Sequence, residues 1–143
     1  MGLQRLFVYG TLLPGLCRHD AMHGARWLGP AHINAALYDL GPYPAVVHGE
    51  GVTHGLLAEV DDALLTRLDA IEEYHPEAPA RSEYLRQRIT AHTDAGHSHG
   101  AWCYVYGRDV GSARRLAHGD YRRHLQETGY VPSLQTAPRP LDV

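Results

Sequence analysis

A carboxylate on the apolar side of a predicted helix is the group in this sequence best suited to chemistry. The segment DDALLTRLDAIEE repeats leucine and isoleucine at spacings of three and four residues, which predicts a helix that buries one side. With about 100° of rotation per residue, Glu72 projects between Leu65 and Leu68, inside the apolar stripe. The same rotation predicts that Asp69 and Glu73 face solvent. Burial raises the pKa of a carboxyl group because it disfavours the charged form, and this suits a general acid or base.

Glu72 also has an ordinary structural interpretation, because it lies near the C-terminal end of the predicted helix. From there a long side chain is able to reach solvent, or to pair with Arg86 or Arg88. These arginines belong to residues 84–92, whose alternation of polar and apolar side chains predicts a strand. The periodicity by itself leaves both interpretations open.

The histidines offer a second kind of chemistry, since the chain contains 11 of them. His19 and His23 are four residues apart with Asp20 between them, a spacing similar to the zinc-binding H-E-x-x-H pattern. Aspartate replaces glutamate, no third ligand is obvious, and nearby glycines make a helix uncertain. We therefore expect no metal and no cofactor, and a metal-dependent hydrolase is the least favoured hypothesis.

The composition excludes several classes of function. The chain has no lysine, which excludes a P-loop lysine, a Schiff-base lysine and a Ser–Lys dyad. A net charge of −3 without a basic stripe predicts no nucleic-acid partner. No apolar run approaches the roughly 18 residues of a membrane span, so we expect no membrane partner and a cytoplasmic location. Cys17 and Cys103 are too few for a disulfide framework and are interpreted as core thiols.

The secondary-structure elements predicted around these groups are short. The length of 143 residues suits one domain, predicted over residues 1–131, followed by an extended tail over 132–143. Asp61 or Asp62 is the expected N-cap of the Glu72 helix. Many short strands with few helices predict an α+β fold, a small mixed β-barrel flanked by two or so helices. The predicted strands cover residues 3–9, 26–29, 32–40, 45–48, 54–60, 84–92 and 101–106, and the predicted helices cover 61–73 and 111–128, the second interrupted or ended near Gly119.

The last predicted strand has one aromatic face. Trp102, Tyr104 and Tyr106 alternate with small or aliphatic residues, so their rings share one side of the strand. Such a face forms either the wall of a ligand site or part of the core.

Several motifs, taken in order, resemble one family. They are FVYGTLL at residues 7–13, LGPYPAVV at 40–47, LDAIE at 68–72, YLR at 84–86 and GDYR at 119–122. From about Leu6 to about Arg123, the chain is similar to the γ-glutamylcyclotransferase superfamily. The resemblance is strongest to γ-glutamylamine cyclotransferases and to the bacterial γ-glutamyl-acyl cyclotransferases of antibiotic biosynthesis.

The resemblance implies a β-barrel enzyme in which Glu72 is the catalytic acid and base. In the family reaction, the α-amine of a γ-glutamyl compound attacks its own γ-carbonyl, releasing 5-oxoproline and a free amine without a metal or a covalent enzyme intermediate. Backbone N–H groups of the first loop would hold the α-carboxylate or a developing oxyanion. The implied substrate-binding residues are Tyr9, Gly10, Thr11, Leu12 and Tyr84, followed by Leu13, Tyr43 and Tyr104.

Other interpretations stay open beside this one. The Tyr-Gly-Thr sequence is also typical of an ordinary strand-to-turn junction, and Thr11 is also a plausible cap. Glu73 stands where the family commonly has glycine, so the helix is expected to run further or the next loop to enter differently. The leaving amine is undetermined, since the loop HPEAPARSE differs in a region that sets specificity. A noncatalytic protein that binds a γ-glutamyl ligand is the second hypothesis, and either a monomer or a homodimer is compatible with the sequence.

Overall fold

A computed structural model describes residues 2–133 of the chain. Most of its secondary structure is β-strand, with one α-helix in the middle of the chain and one near the end. Single turns of 3₁₀ helix lie at His19–Met22 and Pro79–Arg81. The strands are β1 Gln4–Val8, β2 Arg26–Ile33, β3 Ala36–Asp39, β4 Pro44–Val47, β5 Thr53–Val60, β6 Tyr84–Thr93, β7 Ser98–Tyr106 and β8 Arg114–Arg115, and the helices are α1 Asp62–Ile71 and α2 Tyr121–Thr128.

Five strands close into a barrel in the order β1-β5-β2-β6-β7. The neighbours are antiparallel except where the barrel closes, at a parallel pair between Leu6 of β1 and Trp102 of β7. A second, three-stranded sheet has the order β4-β3-β8. The predicted α+β class, with a small mixed barrel and flanking helices, is confirmed.

Alternation along the strands divides the core into two clusters. On β1, Leu6 and Val8 pack in one cluster with the leucines of α1, whereas Phe7 and Tyr9 belong to the other with Cys103. Because a helix does not fit inside a five-stranded barrel, the side that faces α1 is the outer surface of the barrel. The helix is therefore fixed by apolar packing against the outside of β1 and β5.

Helix α1 begins and ends at defined residues. The side chain of Asp61 accepts a hydrogen bond from Leu64 N–H at 2.8 Å, so the predicted N-cap is confirmed. The last helical residue is Ile71, with Glu72 as C-cap, so Glu73 does not prolong the helix. Glu73 has φ of 57°, a left-handed conformation that usually selects glycine after a helix.

The predicted break between two strands at residues 30–31 is wrong. Strand β2 runs continuously from Arg26 to Ile33. A bulge between Trp27 and Gly29 absorbs the irregularity that Pro30 introduces into the pattern. The break falls instead after Ile33, before β3.

The predicted helix over 111–128 is wrong in its first half. Arg114–Arg115 form β8, which pairs with β3, and helix α2 begins only at Tyr121 with Asp120 as its cap. Gly119 has φ of 70°, and a Cβ at this position would lie 1.7 Å from the carbonyl oxygen of Val52. This close approach ends the preceding segment and joins it to the start of β5 through a bond from His54 N–H to Gly119 O.

The predicted tail over 132–143 lies outside the described residues apart from Pro132 and Ser133, which belong to no helix or strand. Over residues 2–133 the α-helices have 10 and 8 residues, and none is long and apolar enough to cross a membrane.

Candidate active site

A pocket of about 340 Å³ opens where β1 ends. Immediately after Tyr9 the chain makes a tight turn, closed by a hydrogen bond from Leu13 N–H to Gly10 O at 2.9 Å. The turn lies against β4 and the C-terminal end of α1, and residues from five parts of the chain share the pocket. Its lining residues are Phe7, Val8, Tyr9, Gly10, Thr11, Leu12, Tyr43, Pro44, Glu72, Tyr84 and Tyr104.

Glu72 reaches this pocket from the end of α1. The residue is only 6% exposed, and its N–H is anchored to Leu68 O at 2.8 Å. Its predicted position on the buried side of the helix is confirmed, and the alternative in which its side chain extends to solvent is wrong. The structure therefore brings one carboxylate to the pocket wall, next to the turn after β1.

Gly10 allows the turn to approach β4 closely. A Cβ at this position would lie 2.8 Å from Cγ of Pro44, a distance that forces one of the two to move. The bond that closes the turn uses the N–H of Leu13 and leaves the N–H groups of Thr11 and Leu12 out of it. Consecutive backbone N–H groups in such a turn are suitable donors to an anion.

Two pocket tyrosines donate their hydroxyl protons to backbone carbonyls. Tyr9 Oη donates to Tyr104 O at 2.7 Å, and Tyr84 Oη donates to Pro44 O at 2.7 Å. The same Tyr9 oxygen also accepts the N–H of Val46 at 3.3 Å. These bonds tie β1 to β7, and β6 to β4, directly behind the pocket.

The other two pocket tyrosines donate to carboxylates. Tyr43 Oη donates to Oε2 of Glu83 at 2.7 Å, and Tyr104 Oη donates to Oδ1 of Asp69 at 2.8 Å. Burial, together with the charge of Asp69, raises the pKa of Tyr104 well above its usual range, so this hydroxyl keeps its proton. Tyr84 and Tyr104 thus both donate their hydroxyl protons within the protein, so toward a ligand their oxygens are acceptors.

Asp69 does not face solvent as the periodicity predicts. Its two carboxylate oxygens accept from Arg86, with Nε at 2.8 Å and Nη2 at 3.2 Å. The guanidinium of Arg86 in turn lies 4.4 Å from the ring of Trp102. A helical wheel assigns Asp69 to the surface because it does not include β6 and β7, which cover this side of the helix.

Cys103 lies behind the pocket and is fully buried. Burial, and secondarily the charge of Glu72, raises the pKa of this thiol well above its usual range. The thiol is therefore protonated at neutral pH and is unsuited to act as a nucleophile. The predicted core role of Cys103 agrees with this, whereas Cys17 is only half-buried.

The pocket gathers most of the predicted site residues. Leu13 is the exception, because its side chain lies in the core and only its N–H takes part in the turn. Four residues outside the predicted set also contribute, Phe7, Val8 and Pro44 as lining and Glu83 as the partner of Tyr43. No local pattern indicates Glu83, because its partner Tyr43 lies 40 residues away along the chain. The predicted residues in the lining are Tyr9, Gly10, Thr11, Leu12, Tyr43, Glu72, Tyr84 and Tyr104.

The histidine pair lies elsewhere, beside a separate groove. Residues 19–22 form a turn of 3₁₀ helix, in which the α-helical spacing of His19 and His23 does not apply. The ring of His19 stacks on Trp27 with centroids 6.0 Å apart. Over residues 2–133, no group of three His, Cys, Asp or Glu side chains is arranged to hold a metal ion.

A family model and individual relatives of known family point to the same protein family. The family described as gamma-glutamyl cyclotransferase, AIG2-like, matches residues 6–123. The family protein YtfP of Escherichia coli K12 is 38% identical over 118 residues, which cover 82% of this chain and 95% of YtfP. The gamma-L-glutamyl-butirosin B gamma-glutamyl cyclotransferase of Niallia circulans is 33% identical over 143 residues, covering 97% of this chain and 89% of that protein.

Solved structures agree in fold. The solution structure of E. coli YtfP superposes with a TM-score of 0.60 over 82% of this chain and 95% of that one. YkqA of Bacillus subtilis superposes with a TM-score of 0.74 at 23% identity; the match covers 90% of this chain but only 43% of YkqA, so it shows the fold alone. With the family match over residues 6–123 and relatives at 38% and 33% identity, this chain belongs to the gamma-glutamyl cyclotransferase, AIG2-like family.

Proposed function

We propose that this protein is a γ-glutamylcyclotransferase that releases 5-oxoproline and a free amine, with Glu72 as general base and then general acid. The observation that carries the proposal is the polarity of the pocket around Glu72. Thr11 and Leu12, whose N–H groups the turn-closing bond leaves out, line one part of it, and tyrosines whose hydroxyl protons are already committed line another. A γ-glutamyl group has matching chemistry, since its α-carboxylate accepts hydrogen bonds and its α-ammonium donates them.

The proposed reaction is an intramolecular acyl transfer. The substrate α-nitrogen forms a bond to the γ-carbonyl carbon, and the bond from that carbon to the leaving nitrogen breaks. One proton leaves the attacking nitrogen and one arrives on the leaving nitrogen, so a single carboxylate between them serves both steps. General acid–base assistance of this kind contributes about 10²–10⁴-fold.

The barrel supports this chemistry by keeping the substrate in one conformation. The nucleophile and the electrophile belong to the same molecule, so a fold that brings them together supplies much of the acceleration; effective molarities reach roughly 10⁵–10⁸ M. The pocket tyrosines are tied by hydrogen bonds to β4, β7 and α1, and their rings are thereby fixed. The proposal needs no metal and no covalent intermediate.

The leaving amine distinguishes the candidate substrate classes from one another. The name of the Niallia circulans relative gives γ-L-glutamyl-butirosin B as the compound on which that protein acts. For this chain we propose three substrate classes, namely γ-glutamyl amines, γ-glutamyl peptides and γ-glutamylated antibiotic precursors. Residues 75–83, which lie between Glu72 and Tyr84 in the sequence, are the expected source of selectivity.

The test is a panel of these three substrate classes, with 5-oxoproline quantified by mass spectrometry. We expect 5-oxoproline and free amine to appear in equal amounts from at least one class. Binding of panel members without release of either product, in a folded protein, would favour the noncatalytic γ-glutamyl-binding hypothesis instead. Release of glutamate in place of 5-oxoproline would contradict the proposed cyclisation.

A further inference from the structure

A second carboxylate, Glu83, lies buried behind the pocket, and the reaction described above does not use it. The residue is 1% exposed, and its carboxylate accepts the hydroxyl proton of Tyr43 at 2.7 Å. Tyr43 lines the pocket together with Glu72, whereas Glu83 does not reach the lining. The hydrogen bond to Tyr43 links Glu83 to the pocket lining.

The backbones of both partners are hydrogen-bonded to neighbouring segments. Glu83 N–H donates to Glu73 O at 3.0 Å, and Glu83 O accepts Gly107 N–H at 2.8 Å. Tyr43 O accepts the N–H of Leu40 at 3.0 Å, which closes the turn before β4. The hydrogen bond between the two side chains thus joins two segments that are each already fixed.

This bond determines what Tyr43 is able to offer a ligand. A phenol has one proton, and Tyr43 gives it to Glu83, so toward the pocket its oxygen acts only as an acceptor. An acceptor bonded to a buried carboxylate is also more electron-rich, because hydrogen bonds in series polarise one another in a low dielectric. Such an oxygen favours a cationic donor over a neutral one.

The other pocket tyrosines differ in this respect. Tyr9 and Tyr84 donate to neutral backbone carbonyls. Tyr104 donates to Asp69, but that carboxylate is balanced by Arg86 at 2.8 Å and its side chain is 14% exposed. Tyr43 is therefore the pocket tyrosine whose proton goes to the most deeply buried carboxylate, since Glu83 is 1% exposed.

We infer that Glu83 is a positioning residue that fixes Tyr43 as the acceptor for the α-ammonium group of the substrate. This inference rests on the proposed function, and it adds the residue pair that selects an amine-bearing ligand. It separates two roles among the carboxylates, since Glu72 moves protons whereas Glu83 orients the group that is to be deprotonated. A ligand that lacks the α-amine gains nothing from the pair.

The test compares two ligands that differ only in the α-amine: the γ-N-ethylamide of glutamate and the mono-N-ethylamide of glutaric acid. Binding is measured by calorimetry in a Glu72→Gln background so that the first ligand is not consumed. Adding Glu83→Gln is expected to weaken binding of the amine-bearing ligand by roughly tenfold or more and to change binding of the other by less than about twofold. In the protein with Glu72 intact, Glu83→Gln should raise KM more than it lowers kcat.

Equal weakening of both ligands would show a merely structural role and would overturn the inference, as would unchanged binding of both. Should Glu83→Gln fail to fold, the second variant is Tyr43→Phe, which removes the acceptor oxygen itself. It must produce the same selective loss of binding. If Tyr43→Phe keeps the full preference for the amine-bearing ligand, the inference is also overturned. Glu127→Gln, at an exposed position on α2, is the matched control. If the Glu72→Gln background binds neither ligand, the proposed function fails and the inference fails with it, whereas binding without preference for the amine defeats the inference alone.

Discussion

The pocket around Glu72 and the groove beside His19 contain comparable sets of reactive side chains, yet they differ in how these side chains are held. The groove, lined by His19, Asp20, Met22, His23, Gly24, Ala25 and Trp27, is the larger of the two, about 840 Å³ against about 340 Å³. It is built from one short segment and the start of β2. The pocket instead collects residues from β1, its turn, β4, α1, β6 and β7.

Convergence of several elements and burial, more than residue type or volume, distinguish the pocket as the candidate active site. In the pocket, one carboxylate is 6% exposed and every tyrosine hydroxyl has an acceptor within the protein. In the groove, His23 is exposed, and the turn that carries the histidines is a single turn of 3₁₀ helix. Desolvation and fixed geometry strengthen electrostatic effects in the first region and not in the second.

Replacing the Glu72 carboxylate is expected to reduce activity more than any other change. Glu72→Gln keeps the size and polarity of the side chain but removes its ability to accept a proton. We expect kcat for 5-oxoproline formation to fall by at least about 10²-fold, with ligand binding retained. Steady-state kinetics and calorimetry on the folded variant provide the check, with Glu127→Gln as the surface control; full turnover by the variant would remove Glu72 from its assigned role.

Gly10→Ala disturbs the shape of the pocket without removing a reactive group. The added Cβ would lie 2.8 Å from Cγ of Pro44, so the turn or β4 must shift by several tenths of an ångström. Since small displacements of a bound substrate are costly, we expect kcat/KM to fall by about tenfold or more. Gly100→Ala is the matched control, because a Cβ there meets nothing within 4 Å. Equal activity of the two variants would contradict a tightly fitted turn.

Asp69→Asn tests the support behind the pocket. The variant retains an acceptor for Tyr104 but loses the ion pair with Arg86, whose side chain is 18% exposed. We expect the free energy of unfolding to fall by about 1–2 kcal/mol and kcat/KM to fall severalfold. Urea denaturation measures the first quantity. Glu59→Gln breaks the pair with Arg26, which is 76% exposed, and should change stability by less than about 0.5 kcal/mol.

The smallest effect is expected in the groove. His19→Ala and His23→Ala, alone or together, should leave 5-oxoproline formation unchanged, as should prior incubation with EDTA, because neither residue lies in the pocket. Activity assays of the variants and of the chelated protein make the comparison. Loss of activity in EDTA that zinc restores would revive the metal-dependent hydrolase hypothesis.

Local patterns predict those parts of the molecule that depend on local interactions. The N-cap at Asp61 and the inward side of Glu72 follow from helix periodicity, and the structure confirms both. Periodicity failed for Asp69, since Arg86 and Tyr104 are distant in sequence and no pattern within α1 indicates them. It failed again before Tyr121, where the close approach of Gly119 to Val52 decides the local structure.

The polarity of the pocket was beyond sequence reasoning for a similar reason. Motifs identified Tyr9, Tyr43, Tyr84 and Tyr104 as candidates, but the direction of each hydroxyl proton depends on which acceptor the fold brings within about 3 Å. Those acceptors lie 35 to 95 residues away along the chain. A role for Glu83 therefore becomes visible only when the barrel is closed.

In the proposed reaction the substrate's own amine, and not water, attacks the γ-carbonyl beside Glu72. The most direct measurement is a single-turnover reaction in ¹⁸O-labelled water with a γ-glutamyl amide and, in parallel, with its analogue that lacks the α-amine. The account predicts 5-oxoproline without incorporated ¹⁸O from the first and no cleavage of the second. Glutamate labelled with ¹⁸O, or cleavage of the analogue, would show that water is the nucleophile and would contradict the account.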